Sequence, residues 1–453
     1  MKLKENSWTG KIVRWAQQEL EWLKPGLGLK RWIVLMILGT LFLGLGFALI
    51  ILDWYRNVTD PNWANILAFF SFRFLPRWLR FILFGGIGVG AIYLGSSGFR
   101  QNVLKPFVLD GKPAIKTVSE YRRKSRGPKV VVIGGGSGLA SMLRGLKKHT
   151  SNITAIVTMA DDGGSSGELR RTVGTPPPGD IRNCLTALSD DEALLTQIFQ
   201  YRFGSDYNLN GHSLGNLFII AMSDIAGSFE EGVAEAGRVL AVTGKVLPAT
   251  LRDVRLTALK KDPDTDEEKV VHGESDIPKA SGQIERIWLE PDNPQAFPPA
   301  IQSILSADLV VIGPGSLYTS IIANLLVPDI SKAVKTSKAL KFYVCNVTTE
   351  PGETDGYSIG DHVEAIEQHL SHKVFDLLIC NNRFEDHLLP AHLEWVKGSA
   401  ELNQQYATYY TDMVNVNKPT RHDSEKLAQA VMDLFYERTG PLMGRDDEHV
   451  TYG

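Results

Sequence analysis

VVVIGGGSGLA, running from Val130 to Ala140, decides the fold. An apolar β-branched run, Val130, Val131, Val132 and Ile133, breaks into Gly134, Gly135, Gly136 and Gly138. Leu139, Met142, Leu143 and Leu146 then recur at helical spacing. The pattern predicts the first strand, loop and helix of a nucleotide-binding sheet. Glycines let the backbone approach a phosphate, and the helix start offers unpaired N–H groups and the positive end of a dipole. The dinucleotide fingerprint GxGxxG is not met, because Leu139 stands where its third glycine belongs.

Downstream, Ile153 to Met159 reads as a second strand that runs into ADDGGSSG, Ala160 to Gly167. Asp161 and Asp162 stand roughly 20 residues past the glycine loop, where a carboxylate can bind ribose hydroxyls. As neighbours they are also candidates for a divalent cation, or for tuning each other's proton affinity. In LRRTVGTPPPGDIRN, Leu169 to Asn183, the prolines stiffen a segment that presents Gly179, Asp180, Arg182 and Asn183 to the strand ends. One of Arg170, Arg171 and Arg182 is expected to fork onto phosphate. Ile181 to Phe203 patterns as one helix. NGHSLGN, Asn210 to Asn216, opens another, with Ser213 as its N-cap and His212 and Asn216 beside a second anion site. Residues 238–290 read as a β-rich insertion whose charged turn, Lys260 to Lys269, points to solvent. The parallel pattern resumes at Ala307 to Ile312, which opens into Gly313, Pro314, Gly315 and Ser316, then Leu317 to Ser320 and a helix over Ile321 to Leu326. Two strand, glycine-loop, helix units at a switch point make a nucleotide crevice. Thr348 to Tyr357 is rich in turn residues.

The chain is 453 residues long with a formal net charge of -3, which permits a large core and argues against a nucleic-acid partner. Its 3 cysteines, Cys184, Cys345 and Cys380, lie far apart without CxxC spacing, so reduced thiols are expected rather than a disulfide or zinc site. Residues 1–30 are basic, with Trp8, Trp15 and Trp22 one heptad apart, a pattern suited to a membrane interface. Residues 31–98 read as a membrane anchor. The uncharged run Ile33 to Leu52 (IVLMILGTLFLGLGFALIIL) predicts one transmembrane helix, and a second is expected over about 80–98. The basic flanks place both termini in the cytoplasm, with the chain multi-pass in the plasma (inner) membrane. A basic linker, 99–127, ending in YRRKSRGP, precedes the main domain, 128–445. The expected fold class is α/β: a Rossmann-like, mostly parallel sheet with helices on both faces and a β-rich insertion, preceded by two transmembrane helices.

Taken together, VVVIGGGSGLA, TMADDGGSSGELRR, PPPGDIRN, GHSLGNL, AVTGKVLPATL, GPGSLYTSIIANLLVP and CNVTTEPGETDGYS resemble the YvcK-type gluconeogenesis-factor family, itself related to the CofD-type 2-phospho-L-lactate transferases. The resemblance spans about residues 128 to 440. It implies a domain that binds UDP-N-acetylglucosamine or a related nucleotide-sugar ligand and links gluconeogenic growth to cell-envelope synthesis and cell shape, without established turnover. The ligand-lining positions it implies are Gly134, Gly135, Gly136, Ser137, Gly138, Asp161, Gly163, Gly164, Ser165, Ser166, Asp180, Arg182, Asn183, His212, Ser213, Asn216, Gly313, Gly315, Ser316, Tyr318 and Thr319. Asp161 and Asp162 are the candidate Mg2+ ligands and the candidate catalytic residues. The alternative is a metal-dependent transferase that joins phospholactate to a deazaflavin alcohol. Envelope-synthesis proteins are the partners the resemblance suggests, and self-association is left open.

Overall fold

The computed structural model describes residues 114–440 with a few gaps, and scattered positions between 38 and 90. Arg123–Leu442 form one compact unit. Its centre is a seven-stranded parallel sheet. β1 (Val130–Gly134) pairs in register with β2 (Ile153–Val157) on one edge, Val132 opposite Ala155, and β2 pairs with β3 (Lys245–Pro248). An antiparallel three-stranded sheet follows in the chain: β4 (Arg255–Lys261), β5 (Glu268–His272) and β6 (Gln283–Glu290), in the order β5-β4-β6. The main sheet then resumes on the other edge of β1 with β7 (Leu309–Ile312), β8 (Leu340–Val344), β9 (Leu377–Asn381) and β10 (Thr408–Thr411). Every residue of β1, β7 and β9 is buried. Successive strand residues point to opposite faces, so unbroken burial means both faces are covered by helices.

The chain winds outward from β1 in both directions, which makes the gap between β1 and β7 the topological switch point. Ligands of such sheets bind there, beyond the carboxyl ends of the strands. Helices α1 (Gly136–Leu146), α2 (Gly164–Val173), α3 (Gly179–Leu188), α4 (Glu192–Gln200), α5 (Leu214–Ala226) and α6 (Phe229–Val239) lie between β1 and β3 in the chain. Two of them come from the single helix expected over 181–203. The break follows Leu188, where Ser189 turns extended, in a Ser-Asp-Asp sequence whose side chains compete with helical bonding.

The insertion is smaller than expected. Arg238 and Val239 end α6, and Lys245–Pro248 is the edge strand of the main sheet, so the antiparallel part begins only at Arg255. A short apolar run does not reveal from sequence whether it pairs in parallel or as a hairpin. The expected charged turn also loses its first member to the interior. Lys260 is 1 % exposed, and its Nζ donates to the carbonyls of Ile277 (3.1 Å), Ala280 (2.5 Å) and Gly352 (2.9 Å). All three ammonium protons are used, and they tie the insertion to the loop over 350–356.

Within the basic linker expected over 99–127, Ala114–Ser125 is helical. The two expected transmembrane helices fall largely outside the described residues. Within them, Leu38, Leu41, Phe47, Ile51, Ile82 and Ile87 are helical and exposed. Among the described residues no helix is long and apolar enough to cross a membrane. Cys184, Cys345 and Cys380 are buried, free thiols.

Candidate functional site

The loops after β1 and β7 pack directly on one another, as two units at a switch point should. A Cβ on Gly138 would lie 2.7 Å from the Pro314 carbonyl oxygen, and one on Gly135 would lie 2.8 Å from Ser320 Oγ. Asn324, wholly buried, donates through Nδ2 to the carbonyls of Gly134 (2.9 Å) and Ser320 (2.7 Å) and staples the loops together. Asn346, just past β8, accepts from Gly315 N–H and donates to its carbonyl. After Gly313–Ser316 the chain enters a π-helical turn, Leu317–Ile322, rather than the helix expected from Ile321. Such turns often mark functional sites.

The first glycine loop carries its own anion. Gly136 N–H, at the start of α1, donates to Asp180 Oδ2 at 2.8 Å. One of the donors expected for a phosphate is thus engaged by a carboxylate delivered from the PPPGD segment, which favours the positive helix end for the same electrostatic reason. Ser137 is exposed beside it.

The two neighbouring aspartates engage different backbone donors, although the Asp162 charge adds to the burial that raises the Asp161 carboxyl. Asp161 Oδ1 accepts from Gly163 N–H at 2.9 Å, at the start of α2, whereas Asp162 Oδ1 accepts from Ser275 N–H at 3.0 Å, in the turn after β5. Among the described residues no group of three or more His, Cys, Asp or Glu side chains is arranged to hold a metal ion.

The three arginines divide sharply. Arg170 is consumed in structure: its guanidinium pairs with Asp253 and donates to the carbonyls of Val254, Met159 and Asp161. Arg171 lies exposed. Arg182 alone enters the crevice, where Nη1 donates to Ser213 Oγ (2.6 Å) and Asn216 Oδ1 (3.1 Å), and Nη2 to Asn183 Oδ1 (3.0 Å). Its buried Nε–H has no acceptor among the described residues. Asn216 passes the network on through Nδ2 to Ser165 Oγ (3.0 Å), which also meets His212 Nδ1 (3.1 Å). Ser213 caps α5 by accepting from Asn216 N–H, as expected.

Carboxyl groups crowd the floor. Burial pushes Asp180 up to about 6, and the Asp161 charge adds to the shift while Gly136 N–H opposes it. Glu274 is pushed up to about 9 by burial and then by Asp161, Asp180, Asp162 and Glu353. Glu353 rises to about 7 through burial and Glu350, against a 3.1 Å bond from Thr319 Oγ1. Ser316 hydrogen-bonds Glu350, itself raised by burial. Like charges this close cannot all ionise, so the crevice keeps protons at neutral pH. Glu274, Glu350 and Glu353 were not foreseen; they sit in stretches that read as β-extension and turn. Tyr318 is buried. Its hydroxyl faces Tyr357 OH at 2.9 Å, within an aromatic group with His369.

The model of the family of 2-phospho-L-lactate transferase CofD matches residues 130–434. The chain belongs to the CofD family. Within it, the YvcK-type gluconeogenesis factors stand near: the gluconeogenesis factor of Bacillus subtilis is 45% identical over 68% of this chain and 99% of its own. A relative from Clostridium acetobutylicum, 42% identical, covers 92% of this chain and 94% of its own length, and so extends across the N-terminal region as well. The crystal structure of a UPF0052 family member from Bacillus halodurans, 43% identical, matches with a TM-score of 0.63 over 68% of this chain and 99% of that one. The range that the family model matches takes in every strand of the main sheet together with Ser165, Arg182 and Asn216.

Proposed function

We propose that this protein is a regulator of central carbon metabolism that binds a nucleotide-sugar of the UDP-N-acetylglucosamine class at the switch-point crevice. The observation that carries the reading is Arg182, held by Ser213, Asn216 and Asn183 with its Nε–H still without an acceptor. A guanidinium so positioned suits a diphosphate. The carboxyl groups of Asp161, Asp180 and Glu274 suit the hydroxyls of ribose and sugar, since each can accept a hydrogen bond and a protonated one can also donate. With α1 already facing Asp180 and carboxyl groups crowding the start of α2, the phosphates lie toward Arg182 and the first turn of α5. The names of relatives in Bacillus subtilis and Listeria monocytogenes, gluconeogenesis factors, support the metabolic role. In this reading the protein is tethered at the inner face of the plasma membrane and regulates envelope synthesis; the exposed apolar helical positions Leu41, Phe47, Ile82 and Ile87 support a membrane tether. Isothermal titration of UDP-N-acetylglucosamine into the detergent-solubilised full chain tests the reading. Saturable heat is expected, and its absence with all UDP-sugars overturns it. The CofD match favours one other reading, phospholactyl transfer to a deazaflavin alcohol, which product formation from those two substrates would establish.

A further inference from the structure

Ser165 stands at the first turn of α2, 6 % exposed, with its hydroxyl between two side chains of another loop. Asn216 Oδ1 accepts from Arg182, which fixes its amide so that Nδ2 donates to Ser165 Oγ. His212 Nδ1 lies 3.1 Å from the same oxygen, and in the tautomer with the proton on Nε2 it accepts the serine proton. Nδ1 is then the acceptor nitrogen, and the protonated Nε2 faces Glu168 Oε2 at 3.7 Å. Glu168 lies on the same helix as Ser165, one turn on, so α2 supplies both ends of the chain of contacts.

We propose that Ser165, His212 and Glu168 form a nucleophilic relay that takes an acyl group from a neutral ester. The local sequence, Gly163 to Gly167, has the G-x-S-x-G form in a strand, turn, helix setting. Two glycines serve the turn directly: Gly164 adopts φ +47, and a Cβ on Gly167 would meet the Asp162 carbonyl oxygen at 1.8 Å. The turn is longer than the usual elbow, since β2 ends at Val157, and the left-handed residue precedes the serine. N-cap Gly163 provides no side-chain cap, which leaves first-turn N–H groups of α2 for a developing oxyanion.

Charge selects the substrate class. Asp161 hydrogen-bonds Ser166, the next residue, and Asp180 and Glu274 lie within its electrostatic reach. A dianionic phosphoryl group meets like charge there, whereas a carbonyl carbon does not. In the step, His212 Nδ1 takes the Ser165 proton as Oγ bonds the carbonyl carbon. The carbon–oxygen bond to the alcohol breaks, and the alcohol leaves with that proton. Water, deprotonated by His212, then releases the carboxylic acid and restores Ser165. His212 and Ser165 touch the reacting atoms, and Glu168 is a positioning residue.

The relay does not rest on the nucleotide-sugar reading. Its test is labelling of the full-length protein with a fluorophosphonate, which phosphonylates activated serines, followed by peptide mapping. One adduct, on Ser165, is expected. Its rate should fall at least ~100-fold in His212→Gln, fall less in Glu168→Gln and recover in Glu168→Asp, with the melting temperatures of all three variants unchanged, which a purely structural carboxylate would not allow. No adduct on the wild-type protein, an adduct elsewhere, or undiminished labelling of His212→Gln overturns the proposal. The wild-type map decides the matter even where a variant fails to fold. UDP-sugar titration of the same preparation is read separately, so either result can fail alone.

Discussion

Gly136 N–H and the Asp180 carboxylate are joined at 2.8 Å across 44 residues of chain, so the anion that the first glycine loop attracts comes from the protein itself. Burial raises the Asp180 carboxyl to about 6, above its unfolded value near 4. A raised acid favours the fold below the unfolded value, and that contribution is lost as the pH climbs through 6. Asp180→Asn keeps an oxygen acceptor without the charge. It should therefore unfold at higher urea concentration than the wild type at pH 8, by about 1–3 kcal/mol, with the gain vanishing below pH 4. Urea midpoints across that range check it; a variant weaker at pH 8 contradicts it.

Glu274 should be a neutral acid at pH 7, because burial and four neighbouring carboxylates hold its proton up to about 9. A difference infrared spectrum of wild type against Glu274→Gln at pH 7 should show a protonated carboxyl band that is lost above pH 9. A spectrum with only carboxylate bands would show that water or a cation relieves the crowding.

Lys260→Met removes three ammonium donors and leaves the carbonyls of Ile277, Ala280 and Gly352 unpaired in the interior. The expected cost is about 2–3 kcal/mol of stability. Amide exchange should quicken both around 277–280 and around 352. Faster exchange in the insertion alone would mean that the loop over 350–356 is held by other contacts.

Gly138→Ala places a methyl group 2.7 Å from the Pro314 carbonyl oxygen and 3.0 Å from Gly315 N, so the two glycine loops must part. UDP-sugar affinity should drop about tenfold or more, with roughly 1–3 kcal/mol of destabilisation from the forced packing. Unchanged affinity would place the ligand away from the loop junction.

Arg182→Ala and Arg170→Ala should separate binding from folding. The first removes the guanidinium that faces the crevice and should weaken UDP-sugar binding about 10- to 100-fold. The second breaks the Asp253 pair and the carbonyl bonds of Val254, Met159 and Asp161, and should lower the thermal midpoint more than the affinity. Calorimetry on both variants, with melting curves, distinguishes the roles.

The central sheet was legible because its strands announce themselves locally. Val130 to Ile133 and Leu309 to Ile312 are unbroken apolar runs followed by glycine, and each is buried throughout. His212, Ser213 and Asn216 were found for a similar reason, since capping chemistry is written within a few residues. The rest depends on distant partners. Nothing near Arg170 names Asp253 as its mate, so it looked equivalent to Arg182. Lys260 resembles any turn lysine until residues 277, 280 and 352 close over it. Glu274 and Glu353 became site residues only through burial and the charges set around them, which depend on how the insertion and the loop over 350–356 pack.

β1 is an interior strand of the sheet, between β7 and β2, and also its first to be synthesised. Its Val130 edge toward Ile153 is paired almost at once, but the edge toward Leu309 waits for 179 further residues, the whole antiparallel insertion among them. At a translation rate of about 5–20 residues per second, that edge stays open for roughly 9–36 s. During this interval the nascent chain displays an unpaired, wholly apolar strand edge, the kind of surface that chaperones hold. Synonymous codons that slow translation between residues 158 and 308 should therefore lengthen the vulnerable period without altering a single side chain.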